Sequence, residues 1–143
     1  MHVEIYSDGS GTTLNLPGGW AFVIVVDGVQ VYEESGGLNK ATNNEAELTA
    51  AVNGLKYAVA NYSGDDVSFT LVSDSQLVLG YASGAYKVKA YNLVPLSIEL
   101  KKNYGQLGAT TRWVKGHSGD IHNERCDVLA GSEREKLIKA MKP

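Results

Sequence analysis

Residues 41–62, "ATNNEAELTAAVNGLKYAVANY", carry the change of period that decides the fold. Upstream the apolar residues alternate; here they recur at helical spacing. Leu48, Val52, Leu55 and Val59 form one apolar stripe, and a second stripe headed by Glu47 continues through the small residues Ala51, Gly54 and Ala58. Thr42, followed three residues later by Glu45, fits a capping box at the helix start. Small residues at that spacing let a helix approach another backbone closely. Glu47 is therefore expected against a sheet rather than in water.

Towards the N-terminus, "HVEIYSD" (2–8) alternates, with Val3 and Ile5 on one face and His2, Glu4 and Tyr6 on the other. This predicts a strand ending at Asp8-Gly9. A loop rich in Gly, Thr, Asn and Pro follows. Then "GWAFVIVVD" (19–27) and "VQVYEES" (29–35) flank Asp27-Gly28, a preferred two-residue hairpin turn. Three sequential antiparallel strands result.

Towards the C-terminus, "VSFTLVSD" (67–74) reads as a fourth strand running into Asp74, and "SQLVLGYA" (75–82) as a short helix. Residues 83–90 are irregular and basic. A helix is expected from about Asn92, with Pro95 in its first turn, through Leu96, Leu100 and Tyr104. "ATTRWV" (109–114) gives a fifth strand, "KGHSGD" (115–120) a loop, and a last helix starts near Asp120. The order predicts an α/β fold: a mixed five-stranded sheet, three antiparallel strands then two more, with helices on both faces.

The 143 residues suit a single domain, 1–143, with an ordinary hydrophobic fraction of 43% and charged fraction of 20%. No apolar run reaches the roughly 20 residues of a membrane span, and the start lacks a signal-peptide layout. The lone Cys126 excludes an internal disulfide and argues against zinc. A cytoplasmic monomer is the expectation. The net charge of −3 argues at first against a nucleic-acid partner, but it is unevenly spread. Residues 1–80 hold 2 basic and 10 acidic side chains, and residues 81–143 hold 11 and 6. Such asymmetry is compatible with one basic surface that tracks phosphates.

Four acids stand out by position. Asp8 and Asp74 are placed at strand ends, Glu47 one turn inside a helix, and Asp127 in the last helix, after the loop carrying His117. Ligands of open sheets with helical crossovers collect at the carboxyl ends of strands. Four carboxylates within ~5 Å would repel one another and raise several pKa values, whereas hard divalent cations such as Mg²⁺ or Mn²⁺ remove that penalty. Two such ions about 4 Å apart can hold a phosphodiester, one activating the attacking water and the other stabilising the leaving oxygen. Taken singly, each acid has a commonplace alternative: Asp8 a turn residue, Asp74 a helix cap, Glu47 and Asp127 solvated helix positions. Their contexts separate these readings.

Those contexts, "YSDGS", "GGWAFVIV", "TNNEAEL", "SDSQ", "WVKGHSG" and "NERCD", occur in the order found in type 1 ribonuclease H, and the chain resembles that family along nearly its whole length. The resemblance implies the ribonuclease H-like fold and cleavage of the RNA strand of RNA–DNA hybrids, with 5′-phosphate and 3′-hydroxyl ends. It also implies two Mg²⁺ ions, replaceable by Mn²⁺. Position by position, Asp8, Glu47, Asp74 and Asp127 match the metal-binding carboxylates, and Glu124 matches an acid near the second metal. His117 matches the loop histidine that assists proton transfer or product departure, tasks that suit an imidazole. Asn43, Asn44 and Gln76 match contacts in the minor groove, where 2′-hydroxyls distinguish RNA from DNA. Thr42 matches a threonine gripping a DNA phosphate, a role compatible with a helix cap. Ser10 and Asn15 lie in the loop beside Asp8.

The chain departs from larger bacterial members by lacking their tryptophan-containing basic protrusion between the third acid and the histidine. Lys87 and Lys89 are read as its remnant, and Lys101, Lys102, Lys115 and the tail lysines as further candidates for substrate grip. Cys126 is expected to be a buried small hydrophobe and Arg125 a brace for the last helix. Trp20 and Trp113 are read as core, and His2 and His122 as surface residues. The competing functions are a hybrid-binding module, or a weakly active nuclease subunit of a larger assembly. Another nuclease chemistry on the same fold is disfavoured by the motifs.

Overall fold

The computed structural model describes residues 1–12 and 15–141; Lys142, one of the tail lysines considered for substrate grip, lies outside them. Five strands form one sheet: β1 His2–Ser10, β2 Gly18–Val26, β3 Val29–Leu38, β4 Ser68–Ser73 and β5 Thr110–Trp113. Their spatial order is β3-β2-β1-β4-β5. The first three strands pair antiparallel, while β4 lies parallel to β1 and β5 parallel to β4. Asp27 and Gly28 have φ of 48° and 85°, as a two-residue turn between right-twisted strands requires.

Four α-helices cover the sheet: α1 Asn43–Asn61, α2 Gln76–Ser83, α3 Val94–Leu107 and α4 Ile121–Ala140. The capping box of α1 is complete. Thr42 Oγ1 accepts from the Glu45 N–H at 3.2 Å, and Glu45 Oε1 accepts from the Thr42 N–H at 2.9 Å. On one face of the sheet Val3, Ile5, Phe22, Ile24 and Leu71 pack against Leu48, Ala51, Val52 and Leu55 of α1. At Gly54 the helix comes so near that an added Cβ would lie 2.6 Å from Ile5 Cγ2. Val59 is only half-buried, and Ala46 and Ala50 are buried in addition, so the small-residue face is broader than its spacing indicated.

On the opposite face α4 seals a smaller cluster of Tyr6, Ala21, Val23, Val25 and Val72 with Cys126 and Ala130. Arg125 braces this helix to β3 through a bidentate pair with Glu33, Nε–Oε1 3.0 Å and Nη2–Oε2 2.7 Å. Cys126 is buried, as expected. Among the described residues no helix is long and apolar enough to cross a membrane.

Several expectations need correction. β1 does not stop at Asp8: Gly9 and Ser10 still pair with Trp20 and Gly19 of β2. Asn92 belongs to a single 3-10 turn, Tyr91–Leu93, that leads into α3. Trp20 is half-buried against the core, but Trp113 is 49% exposed, because β5 is a four-residue edge strand with every residue exposed. His122 is half-buried, its ring 5.1 Å from that of Tyr6.

Gly19 and Gly105 should respond oppositely to alanine. A Cβ on Gly19 would overlap the Ala130 carbonyl oxygen of α4, whereas Gly105 in α3 faces open space. Chemical denaturation should show Gly19→Ala losing about 3 kcal/mol through overpacking against backbone. Gly105→Ala should gain roughly 0.5–1 kcal/mol from helix propensity. Equal stabilities for the two variants would contradict this packing.

Candidate active site

Asp8 lies near the C-terminal end of the central strand β1, where α1 presses closest. A side chain at Gly9 would overlap the Ala46–Glu47 backbone, so only glycine allows this approach. It sets Glu47 directly over the strand. The Gly9 N–H donates to Glu47 Oε1 and, at 2.9 Å, to Asp8 Oδ1. Asp74 follows the last residue of β4, which runs parallel to β1, and so arrives at the same end of the sheet. Carboxylate oxygens of Asp8, Glu47 and Asp74 all lie within 4.8 Å of one another. The cap of α2 is Ser75, whose Oγ accepts from the Val78 N–H at 3.2 Å, so Asp74 is not spent on capping.

Asp8 and Glu47 are each only 5% exposed. Burial, the largest effect, raises the pKa of both, and Asp74 adds repulsion. A hydrogen bond between the two carboxyls raises Glu47 further and lowers Asp8. Asp74 is raised too, first by burial and then by Asp127, while a hydrogen bond from Asn123 works the other way. Among the described residues no lysine or arginine pairs with any of the three acids. Desolvated, oxygen-only and without a cationic partner, the cluster fits a hard divalent cation.

Asp127 stands apart from this trio. Its side chain is 46% exposed, with Oδ2 4.0 Å from Nδ1 of His117. His117 takes a left-handed backbone conformation (φ 56°), and its side chain is 82% exposed. Its loop is tied down on both sides: the Ser118 hydroxyl donates to the Lys115 carbonyl at 2.5 Å, and the Gly119 N–H donates to Glu124 Oε1 at 3.1 Å. Glu124, expected beside a metal, is thus engaged in holding the histidine loop and lies outside the acidic trio.

The expected substrate contacts spread around this centre. Asn43 Oδ1 accepts from the Gly11 N–H at 3.3 Å, which ties α1 to the loop after β1. Thr42 and Asn44 line a groove of about 380 Å³ with Asn92 and Ala90. Gln76 is exposed in a groove of about 270 Å³ shared with Tyr86, Thr111 and Trp113. Lys87 and Lys89 edge one of about 580 Å³ with Leu77, Tyr81 and Tyr86. Ser10 is half-buried at the end of β1, and Asn15 (φ 74°) and Lys115 are exposed. Asn92, Tyr86, Trp113 and Asn123 were not anticipated. The alternation of aromatic and basic residues in "AYKVKAY" (85–91) carried a signal for Tyr86, and Trp113 and Asn123 open the motifs "WVKGHSG" and "NERCD"; nothing local marked Asn92.

Comparisons with known proteins agree. The family described as RNase H matches residues 1–135. A ribonuclease H of Treponema denticola is 33% identical over 160 residues, covering 96% of this chain and 100% of the relative. One from Rhodopirellula baltica is 36% identical over 148 residues, covering 95% and 92%. Among solved structures, the N-terminal RNase H domain of a Mycobacterium tuberculosis protein superposes with TM-score 0.85 at 25% identity, covering 99% of both chains. RNase H1 of Halobacterium salinarum gives 0.80 at 28%, covering 95% and 99%. LC11-RNase H1, solved in complex with an RNA/DNA hybrid, shares the fold at TM-score 0.81 and 23% identity, covering 95% and 99%. With the profile spanning nearly the whole chain and relatives above 30% identity along almost their full length, this chain belongs to the RNase H family, in its type 1 branch.

Proposed function

We propose that the chain is an endonuclease that hydrolyses the RNA strand of RNA–DNA hybrids with two divalent cations, Mg²⁺ or Mn²⁺, leaving 5′-phosphate and 3′-hydroxyl ends. The observation that carries this reading is the convergence of Asp8, Glu47 and Asp74 within 4.8 Å in a member of the RNase H family. The same fold accommodates a hybrid in LC11-RNase H1.

Asp8, Glu47 and Asp74 would hold the cations, with Asp127 completing the set at the mouth. Bound there, divalent ions activate water and stabilise the charge that develops on phosphoryl oxygens. The chain's own groups do the rest. The Gly9 N–H fixes the Glu47 carboxylate against β1. His117, exposed on its tied loop, is placed to exchange a proton with the leaving group while Asp127 orients its Nδ1 side. Thr42, Asn43, Asn44 and Gln76 face the hybrid from the starts of α1 and α2, with Ser10 and Asn15 beside Asp8 and Lys115 in the histidine loop. Lys87 and Lys89 supply phosphate contacts in place of a longer protrusion. Glu124 would stand near the second cation while its Oε1 holds the histidine loop.

The direct test is purified protein with Mg²⁺ or Mn²⁺ against labelled hybrid, double-stranded RNA and double-stranded DNA. Only the RNA strand of the hybrid should be cut, and equal cutting of DNA, or none of the hybrid, rejects the reading. Asp8→Asn should abolish turnover and retain hybrid binding.

An acid whose pKa is higher in the folded than in the unfolded state binds more protons when folded, so stability falls as pH rises between the two values. For Asp8 that window runs from the ordinary aspartate value of 3.8 to about 6, and Glu47 and Asp74 shift in the same direction. In EDTA the melting temperature should therefore carry a component that declines as pH rises through this range. Glu47→Gln should flatten the decline, and Mg²⁺ should raise Tm more at pH 8 than at pH 5. An unchanged slope in Glu47→Gln would show that the acids are not buried as described.

Lys87→Ala/Lys89→Ala should raise KM for the hybrid. If each lysine contacts a phosphate, the dependence of log affinity on log salt should become shallower by about 0.9 per lost contact. An unaltered salt slope would place these lysines off the substrate path.

A further inference from the structure

Asp74 differs from the other two central acids in how it is held. Glu47 and Asp8 are fixed by each other and by the Gly9 amide, on elements locked into the core. Asp74 sits one residue past the end of β4, at the start of a short turn into α2. Residues arriving much later in the chain enclose it. The Trp113 indole N–H donates to the Asp74 main-chain carbonyl at 3.0 Å. One step on, the Val114 N–H donates to the Ser73 carbonyl at 3.1 Å, extending the β4–β5 register past the end of β5. Gly116 passes so near that an added Cβ would lie 3.0 Å from Asp74 Oδ2.

The indole contact comes from a side chain whose placement packing alone does not explain. Trp113 is half out in solvent and yet spends its one polar atom on Asp74. We infer that Trp113 is a positioning residue that clamps Asp74 by its main-chain carbonyl, in the orientation needed to ligate a divalent cation. The inference rests on the metal-dependent reading of the site and goes beyond it by assigning a role to a residue that acts through Asp74 rather than on the metal.

The test is calorimetric titration of Mn²⁺ alone into wild type and Trp113→Phe, alongside steady-state cleavage of hybrid. Trp113→Phe keeps the ring and removes only the donor. Loss of that donor should weaken Mn²⁺ binding about 10-fold and lower kcat about 10- to 100-fold. KM for the hybrid should stay within about twofold, and raising Mn²⁺ about tenfold should restore much of the rate. Mn²⁺ affinity within about twofold of wild type in Trp113→Phe overturns the clamp, as does failure of the wild type to bind Mn²⁺. If wild type binds Mn²⁺ but leaves the hybrid intact, the hydrolytic reading falls and the clamp is judged by the titration alone.

Discussion

The contact between β1 and α1 at Gly9 is the constraint on which the rest depends. A strand and a helix meet there without an intervening side chain, and the meeting forces two carboxylates into a space from which water is largely excluded. Burying charge of one sign is costly in any fold unless protons or cations offset it. The core is arranged to tolerate that cost. The small residues of α1 let the whole helix lie flat on the sheet, and α4 clamps the opposite face of the same strands through Ala130 and the Arg125–Glu33 pair. A site destabilised in this way is one whose stability returns when a divalent ion enters.

The parts of the fold visible in the sequence were those fixed by neighbours along the chain. The Asp27-Gly28 turn, the Thr42–Glu45 capping box, the place of Pro95 and the start of α4 at Asp120 each follow from a few adjacent residues. The structure contains all of them. The gathering of Asp8, Glu47 and Asp74 was anticipated because Asp8 and Asp74 each read as ending a strand and Glu47 as heading a tightly packing helix face; the parallel pairing of β1 and β4 accounts for it. What escaped was orientation. For Glu124 the sequence carried no sign that its carboxylate accepts from the Gly119 N–H of the histidine loop. Trp113 has a strand pattern on both sides, yet its strand is the last in the sheet and has nothing beyond to bury it.

Charge is partitioned in the same spirit. The acid-rich first 80 residues supply the three central carboxylates, and the basic remainder supplies Lys87, Lys89 and Lys115 at exposed positions. A net charge of −3 thus coexists with basic side chains held at the surface. The negative charge that matters is withdrawn from solvent, and the positive charge is displayed.

The sheet order β3-β2-β1-β4-β5 places the first strand at the centre and the last at the rim. The candidate centre draws on residues 8, 47, 74, 117 and 127, so it spans most of the polypeptide. In the order of synthesis β1, α1 and β4 precede α4, so Asp8, Glu47 and Asp74 are all made before the helix that carries Asp127. The three acids can therefore be gathered while the opposite face of their sheet is still uncovered, and α4 is added to a cluster already formed.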